Sequence, residues 1–158
     1  MPPERAAPSA GAAPIAYPVA IEMQVRFRDL DTLRHVNNSV FMTYLEAARE
    51  AYWNALGHRL DLDGYGFILA RIECDFRAPI LYAGLDRSWV RVRIRCPRFG
   101  TKSWEYEYRV EARMEDRDAG TLYATARSVQ VYAHIPTGRS EPLPPEIRAK
   151  IERLEGRG

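Results

Sequence analysis

Polar and apolar residues alternate with period two along four stretches of the chain. Ile21, Met23, Val25 and Phe27 share one face, against Glu22, Gln24, Arg26 and Arg28. The pattern returns with Ile68, Ala70, Ile72, Cys74 and Phe76 against Arg71, Glu73, Asp75 and Arg77. A third stretch sets Val90, Val92, Ile94 and Cys96 against Arg91, Arg93 and Arg95. A fourth sets Trp104, Tyr106, Tyr108, Val110, Ala112 and Met114 against Glu105, Glu107, Arg109, Glu111 and Arg113. Such alternation predicts antiparallel strands with one face on a core and the other toward water or a partner. In a fifth stretch Leu122, Ala124 and Ala126 keep one parity and Val129, Val131 and Ala133 take the other. A one-residue slip reverses every later side chain, so the spacing predicts a β-bulge near Arg127-Ser128.

One segment has strong helical spacing. Phe41, Tyr44, Leu45, Ala48, Tyr52 and Leu56 recur at steps of three and four and form a single stripe. Asn37 fits as its N-cap, with Val36 and Phe41 as a hydrophobic staple, and Gly57 fits as its stop. A weaker helix is expected from Glu146 to about Glu155, after Pro144-Pro145, with Ile147, Ile151 and Leu154 on one side. One helix stripe and a five-stranded sheet must cover each other, which predicts a two-layer α+β domain.

The length of 158 residues suits one domain. Its expected bounds are a flexible tail over 1–16, the main domain over 17–142, and a short helix and tail over 143–158. Hydrophobic residues at 46% and charged residues at 28% describe an ordinary globular chain. The net charge of +2 is too small to drive nucleic-acid or anionic-membrane binding, so neither partner is expected. No apolar run is long enough to span a bilayer, and the first 16 residues lack the apolar segment of a signal peptide. Cys74 and Cys96 fall on apolar strand faces and form no Cys-x-x-Cys pair. They are expected as buried free thiols in a reducing compartment, with a disulfide as the alternative, and the expected location is cytoplasmic. Neither metal-ligand spacing nor a P-loop, dinucleotide fingerprint or Gly-x-Ser-x-Gly elbow is present, so no metal and no cofactor is expected.

Candidate chemistry concentrates in Asp29-Leu30-Asp31-Thr32-Leu33-Arg34-His35-Val36-Asn37-Asn38, between the first strand and the long helix. The helix start offers unpaired N–H groups to an anion or a developing oxyanion. This stretch, followed by Phe41-Met42-Thr43-Tyr44-Leu45-Glu46-Ala47-Ala48-Arg49, resembles the hotdog-fold acyl-CoA thioesterases of the 4-hydroxybenzoyl-CoA thioesterase-like branch. The Asp-Leu-Asp…His-Val-Asn-Asn wording also resembles plant acyl-ACP thioesterases. The order of strands and helix matches over residues 18–135.

The resemblance implies a sheet wrapped round one long central helix. It also implies a homodimer or dimer-of-dimers tetramer with active sites at subunit interfaces, and hydrolysis of acyl-CoA to a carboxylate and coenzyme A. It places Asp31 on the catalytic carboxylate, either as a nucleophile forming a mixed anhydride or as the base that activates water. The alternative for Asp31 is a turn cap. Backbone N–H groups near Asn38 and Ser39 are then the oxyanion hole. One such donor is typically worth about 3 kcal/mol in the transition state. His35 holds water, stabilises the departing thiolate, or is a loop histidine bonded to backbone. Asn37 reads as a cap, Asp29 as a turn residue and Glu46 as a solvated or interface residue, with the helix glutamate that serves as catalyst in another hotdog branch as its alternative.

The hairpin from Pro97 to Ser103 is the candidate site for the coenzyme A end, with Arg98, Gly100, Thr101, Lys102 and Ser103 as substrate-binding residues. Lys102-Ser103 matches a pair in the related enzymes. Two departures stand out: Leu33 replaces the catalytic asparagine of the acyl-ACP enzymes, and Gly100-Thr101 stand where the 4-hydroxybenzoyl-CoA enzymes would have arginines. The competing functions are an acyl-ACP thioesterase and a non-catalytic acyl-thioester binding module.

Overall fold

The computed structural model describes residues 15–57, 64–84, 87–113 and 119–157. Most of the expected N-terminal tail (1–14) and Met114 lie outside them. In chain order the elements are β1 (Val19–Gln24), a 3-10 turn (Phe27–Asp29), α1 (Asn38–Ala55), β2 (Tyr65–Phe76) and β3 (Trp89–Phe99). They continue with β4 (Ser103–Ala112), β5 (Leu122–His134), the two-residue β6 (Arg139–Ser140) and α2 (Pro145–Leu154). All pairings are antiparallel, in the order β1-β3-β4-β5-β2, with β6 added to β5. With α1 packed on one face, this is the expected α+β hotdog arrangement.

The stripe on α1 is buried from Phe41 to Leu56 and meets the apolar rows of β3 and β4. Near its C-terminal end Trp53 stacks on Trp104, with centroids 5.7 Å apart and planes at 13°, and Tyr52 meets Tyr106 edge-on at 4.8 Å. Such pairs add to the area they bury. Gly57 ends the helix at φ 77°, the left-handed region where a Cβ is strained. Beyond it, α2 docks through Ile147 and Ile151. The Glu155 carboxylate, just past α2, accepts bonds from the Tyr52 hydroxyl and the Cys96 amide, both 2.6 Å. Arg157 donates to the carbonyls of Pro97 (2.9 Å) and Cys96 (2.8 Å). These contacts seat the C-terminus on β3 where its register with β4 shifts, between Arg95 and Arg98. Both cysteines are free, Cys96 buried and Cys74 half-buried.

Three expectations are corrected. Parity puts Phe27 on the core face of β1, but the strand ends at Gln24 and Phe27 is 74% exposed. The 3-10 turn closes first, because Asp29 Oδ2 accepts the Arg26 amide at 2.8 Å. Parity also puts Ile68 inside, yet it is 42% exposed, since the register between β2 and β5 shifts between Leu69 and Arg71. That extra residue at Ala70 reverses the faces of β2. The predicted slip at Arg127-Ser128 is therefore absent. Ser128 and Gln130 continue the buried parity of β5, while Val129 and Val131 share the outer face with Ile68. Bonds offset part of the cost of burying this polar pair: Ser128 Oγ lies 2.5 Å from the Tyr108 hydroxyl and accepts from Gln130 Nε2 at 2.7 Å, while Gln130 Oε1 has no partner among the described residues.

Candidate active site

The loop between β1 and α1 is held by its own backbone. Val25 N–H reaches Ser88 O (2.8 Å), Val36 N–H reaches Ile80 O (3.0 Å) and Asn37 N–H reaches Asp29 O (2.8 Å). Leu30 and Val36 bridge the base of a tight turn, which Asp31 and His35 close through Asp31 N–H to His35 O at 2.8 Å. Arg34 takes φ 62° at its tip, an uncommon conformation for a residue with a Cβ.

Asp31 does cap this turn. Its Oδ1 accepts the amides of Leu33 (2.8 Å) and His35 (3.3 Å). Among the described residues no hydrogen bond reaches Oδ2, so one oxygen fixes the carboxylate and the other is unbonded. Two amides on one oxygen hold the side chain in a single orientation.

Asn37 caps α1, its Oδ1 accepting from Ser39 N (2.9 Å) and Ser39 Oγ (2.8 Å). Val40 N–H goes to Asn37 O at 2.9 Å. Of the first three helix amides, only that of Asn38 has no partner among the described residues. The expected donor pair near Asn38 and Ser39 is thus reduced to one, since the cap occupies Ser39. Behind the turn, burial first and then the nearby Asp29 carboxylate raise the Tyr44 hydroxyl well above its ordinary value, so it stays protonated.

Asp31, His35 and Asn38 line one cleft of about 370 Å³, together with Arg77 and apolar walls that include Phe41 and Phe76. Phe41 and Phe76 meet edge-on with centroids 5.0 Å apart. On its other side Asp31 lines a second cavity of about 930 Å³, where Phe27 and Tyr82 meet at 6.0 Å beside Leu30. Asp31 therefore stands between two spaces. The sequence pattern does not single out Arg77, which its alternation marks only as an outward-facing strand residue.

The hairpin residues are not brought to Asp31 within one chain. Asp31 follows the end of β1 that pairs with the start of β3 (Gln24 with Trp89), whereas the hairpin joins the other end of β3 to β4 (Phe99 with Trp104). The 18 residues of α1 run between these ends, about 27 Å at 1.5 Å per residue. Lys102 Nζ bonds to Ser140 O (3.2 Å) and Oγ (3.4 Å). Gly100 O accepts from Arg148 (2.6 Å), Gly100 N–H reaches Ser103 O (2.7 Å) and Thr101 O accepts Leu143 N–H (2.8 Å). Arg98 differs: it bonds Glu105 at 2.7 Å and stays 75% exposed. Among the described residues no three His, Cys, Asp or Glu side chains gather as a metal site. No helix among the described residues is long and apolar enough to cross a membrane.

The family model of the thioesterase-like superfamily matches residues 25–151. Among solved structures, the chain is 38% identical to a thioesterase from Thermus thermophilus complexed with coenzyme A and Zn. That match covers 90% of this chain and 98% of the other, with a TM-score of 0.75. A putative thioesterase from Pseudomonas aeruginosa is 29% identical over 84% of this chain and 96% of its own, with a TM-score of 0.71. A gentisyl-coenzyme A thioesterase, 21% identical over 84% of this chain and 99% of its own, shares the fold with a TM-score of 0.71. No curated protein matches the chain.

Proposed function

Since the chain belongs to the thioesterase-like superfamily, and is a thioester hydrolase, we propose that it hydrolyses acyl-CoA with Asp31 as the reacting carboxylate. The observation that supports this is the pairing of a fixed carboxylate with an unpartnered helix amide in one cleft: Asp31 Oδ2 and Asn38 N–H, both unbonded among the described residues. The thioester carbonyl would accept from Asn38 N–H, which stabilises the oxyanion as it forms. Asp31 either attacks the carbonyl carbon, expelling the thiolate and leaving an anhydride that water opens, or removes a proton from water as the water attacks. In both routes the C–S bond breaks and the products are a carboxylate and a thiol. His35, in the same cleft, would hold the water or the departing thiolate. The acyl group would take the 930 Å³ space beside Phe27, Leu30 and Tyr82, and the carrier the Arg77 side. Coenzyme A as carrier draws on the Thermus relative, whose structure contains it.

The same reading includes a homodimer. β2 is an edge strand with Ile68 (42%), Leu69 (40%) and Phe76 (45%) exposed, a ready template for a second copy. A two-fold pairing of β2 with itself would cover Phe76 and complete the cleft wall. It would also set the two copies of α1 antiparallel, with one hairpin end beside the other copy's Asp31. Light scattering after size exclusion is expected to give twice the chain mass; a monomer at micromolar concentration would reject this part. The free thiols suit a reducing, cytoplasmic setting.

Release of free thiol, followed over acyl-CoAs of short, long and aromatic acyl groups, tests the enzyme. Binding of these thioesters with no thiol released would leave only a binding module. Release from acyl carrier protein alone would replace the carrier.

A further inference from the structure

Three cavities that share lining residues follow one another as a trough from Asp31 across the outer face of the sheet. The 370 Å³ cleft at Asp31 shares Arg77 with a groove of about 520 Å³, which is also lined by Tyr17, Glu73, Asp75, Glu107, Thr125 and Arg127. That groove shares Glu73 and Arg127 with a cleft of about 110 Å³, to which Arg71 and Arg98 contribute. Strand register explains the alignment. Glu73 pairs with Arg127 and Arg71 with Val129 on β5, while Arg98 pairs with Glu105 across β3 and β4, so their side chains gather on one face.

We infer that the phosphorylated carrier of the thioester lies in this trough, its phosphates held by Arg71, Arg98 and Arg127 and its arm passing Arg77 to reach Asp31. The inference rests on the proposed thioester chemistry at Asp31. Each arginine is steadied by a carboxylate: Arg71 by Glu73, Arg98 by Glu105 (2.7 Å) and Arg127 by Glu107 (3.4 Å). Each pairing is made through one terminal nitrogen, and a guanidinium has further N–H donors to give. The side chains are 69%, 75% and 68% exposed, so these donors reach solvent. The three guanidiniums and their three carboxylates balance in charge, so the N–H donors left over by these pairings, rather than a net positive field, are what a phosphate would meet. Planar, pre-oriented guanidiniums suit phosphate oxygens better than flexible ammoniums. From Arg77 to Arg71 is six strand steps, about 20 Å at ~3.3 Å each, comparable with an extended phosphopantetheine arm. Lys102, by contrast, is bonded to Ser140 at the hairpin.

Phosphopantetheine is carried by coenzyme A and by acyl carrier protein alike, but three arginines suit the several phosphates of coenzyme A better than the single one of the protein carrier. Calorimetric titration with coenzyme A needs no turnover, so it reports on the trough even if no thioester is hydrolysed. Arg71→Gln and Arg127→Gln are each expected to weaken coenzyme A about tenfold, as for loss of a charge-assisted bond to phosphate. In kinetics, kcat/KM for acyl-CoA should fall about tenfold relative to that for the matching acyl-N-acetylcysteamine thioester, which has no phosphate. 4′-Phosphopantetheine that binds as tightly as coenzyme A, and loses as much in both variants, would place the grip on the phosphate shared with acyl carrier protein. Tenfold weaker binding would place it on the nucleotide phosphates. Unchanged coenzyme A affinity in both variants, or equal losses on the phosphate-free thioester, would overturn the trough. So would a loss seen only in Lys102→Ala, which would return the grip to the hairpin.

Discussion

Replacing Glu155 with alanine should destabilise the chain far more than its place near the C-terminus suggests. Its Oε1 accepts from the Tyr52 hydroxyl and the Cys96 amide, both at 2.6 Å, and both donor residues are 0% exposed. Alanine leaves two buried donors without an acceptor. Each such loss costs about 1–3 kcal/mol, so the pair amounts to roughly 4 kcal/mol. For a chain of this size 1 kcal/mol moves Tm by about 2–4 °C, which gives a fall of about 8–16 °C. Tyr52→Phe removes one donor and keeps the other bond, so about 1 kcal/mol is expected from it. Thermal unfolding followed by far-ultraviolet circular dichroism at one fixed protein concentration compares the two, because association otherwise shifts Tm. A Glu155→Ala Tm within 2 °C of the parent would show that α2 is not anchored through this carboxylate.

Asn37→Ala removes the α1 cap and should cost about 1 kcal/mol in urea unfolding, while Asn37→Asp, which keeps the acceptor and adds charge at the helix start, should cost less. Equal losses would deny the cap its role. Alkaline stability should carry the signature of Cys96. Burial first, and then the Glu155 carboxylate, push its thiol up to about 12 from an ordinary 9.0. Between these values the unfolded chain has lost a proton that the folded chain keeps. Stability is therefore full below pH 9 and falls by about 1.4 kcal/mol per pH unit through the folded value. The buried tyrosines join above pH 10. Cys96→Ala should reduce the slope between pH 9 and 10, leaving the share of Cys74, whose thiol burial also raises, and an unchanged slope there would contradict the burial argument.

The helix and three strands are legible in the sequence because each buries one face whose period is visible: the Phe41–Leu56 stripe, and the alternating rows of β1, β3 and β4. The loop from Asp31 to Asn38 is legible as a cluster, since it precedes a capped helix and resembles a known motif. Where the bulge falls is not legible. Val129 and Val131 look like core residues and Ser128 and Gln130 like surface ones, yet the register shift at Ala70 and the bond to Tyr108 reverse both readings. The division of labour among helix amides is hidden too, because it depends on which one Asn37 Oδ1 accepts. Arg71, Arg77 and Arg127 each read as outward-facing. That they line one trough depends on cross-strand register, which no local pattern encodes.

The proposed role of Asp31 in hydrolysis is tested most directly by thiol release with the Asp31→Asn variant. Asparagine retains an Oδ1 acceptor for the amides of Leu33 and His35, so the turn should persist and the thermal unfolding profile should match the parent. With Asp31 as the reacting group, kcat on acyl-CoA falls by about 10²–10⁴-fold, the range for loss of a positioned acid–base group, while binding of coenzyme A is kept. A variant that folds, binds coenzyme A and turns over within about threefold of the parent would contradict that role.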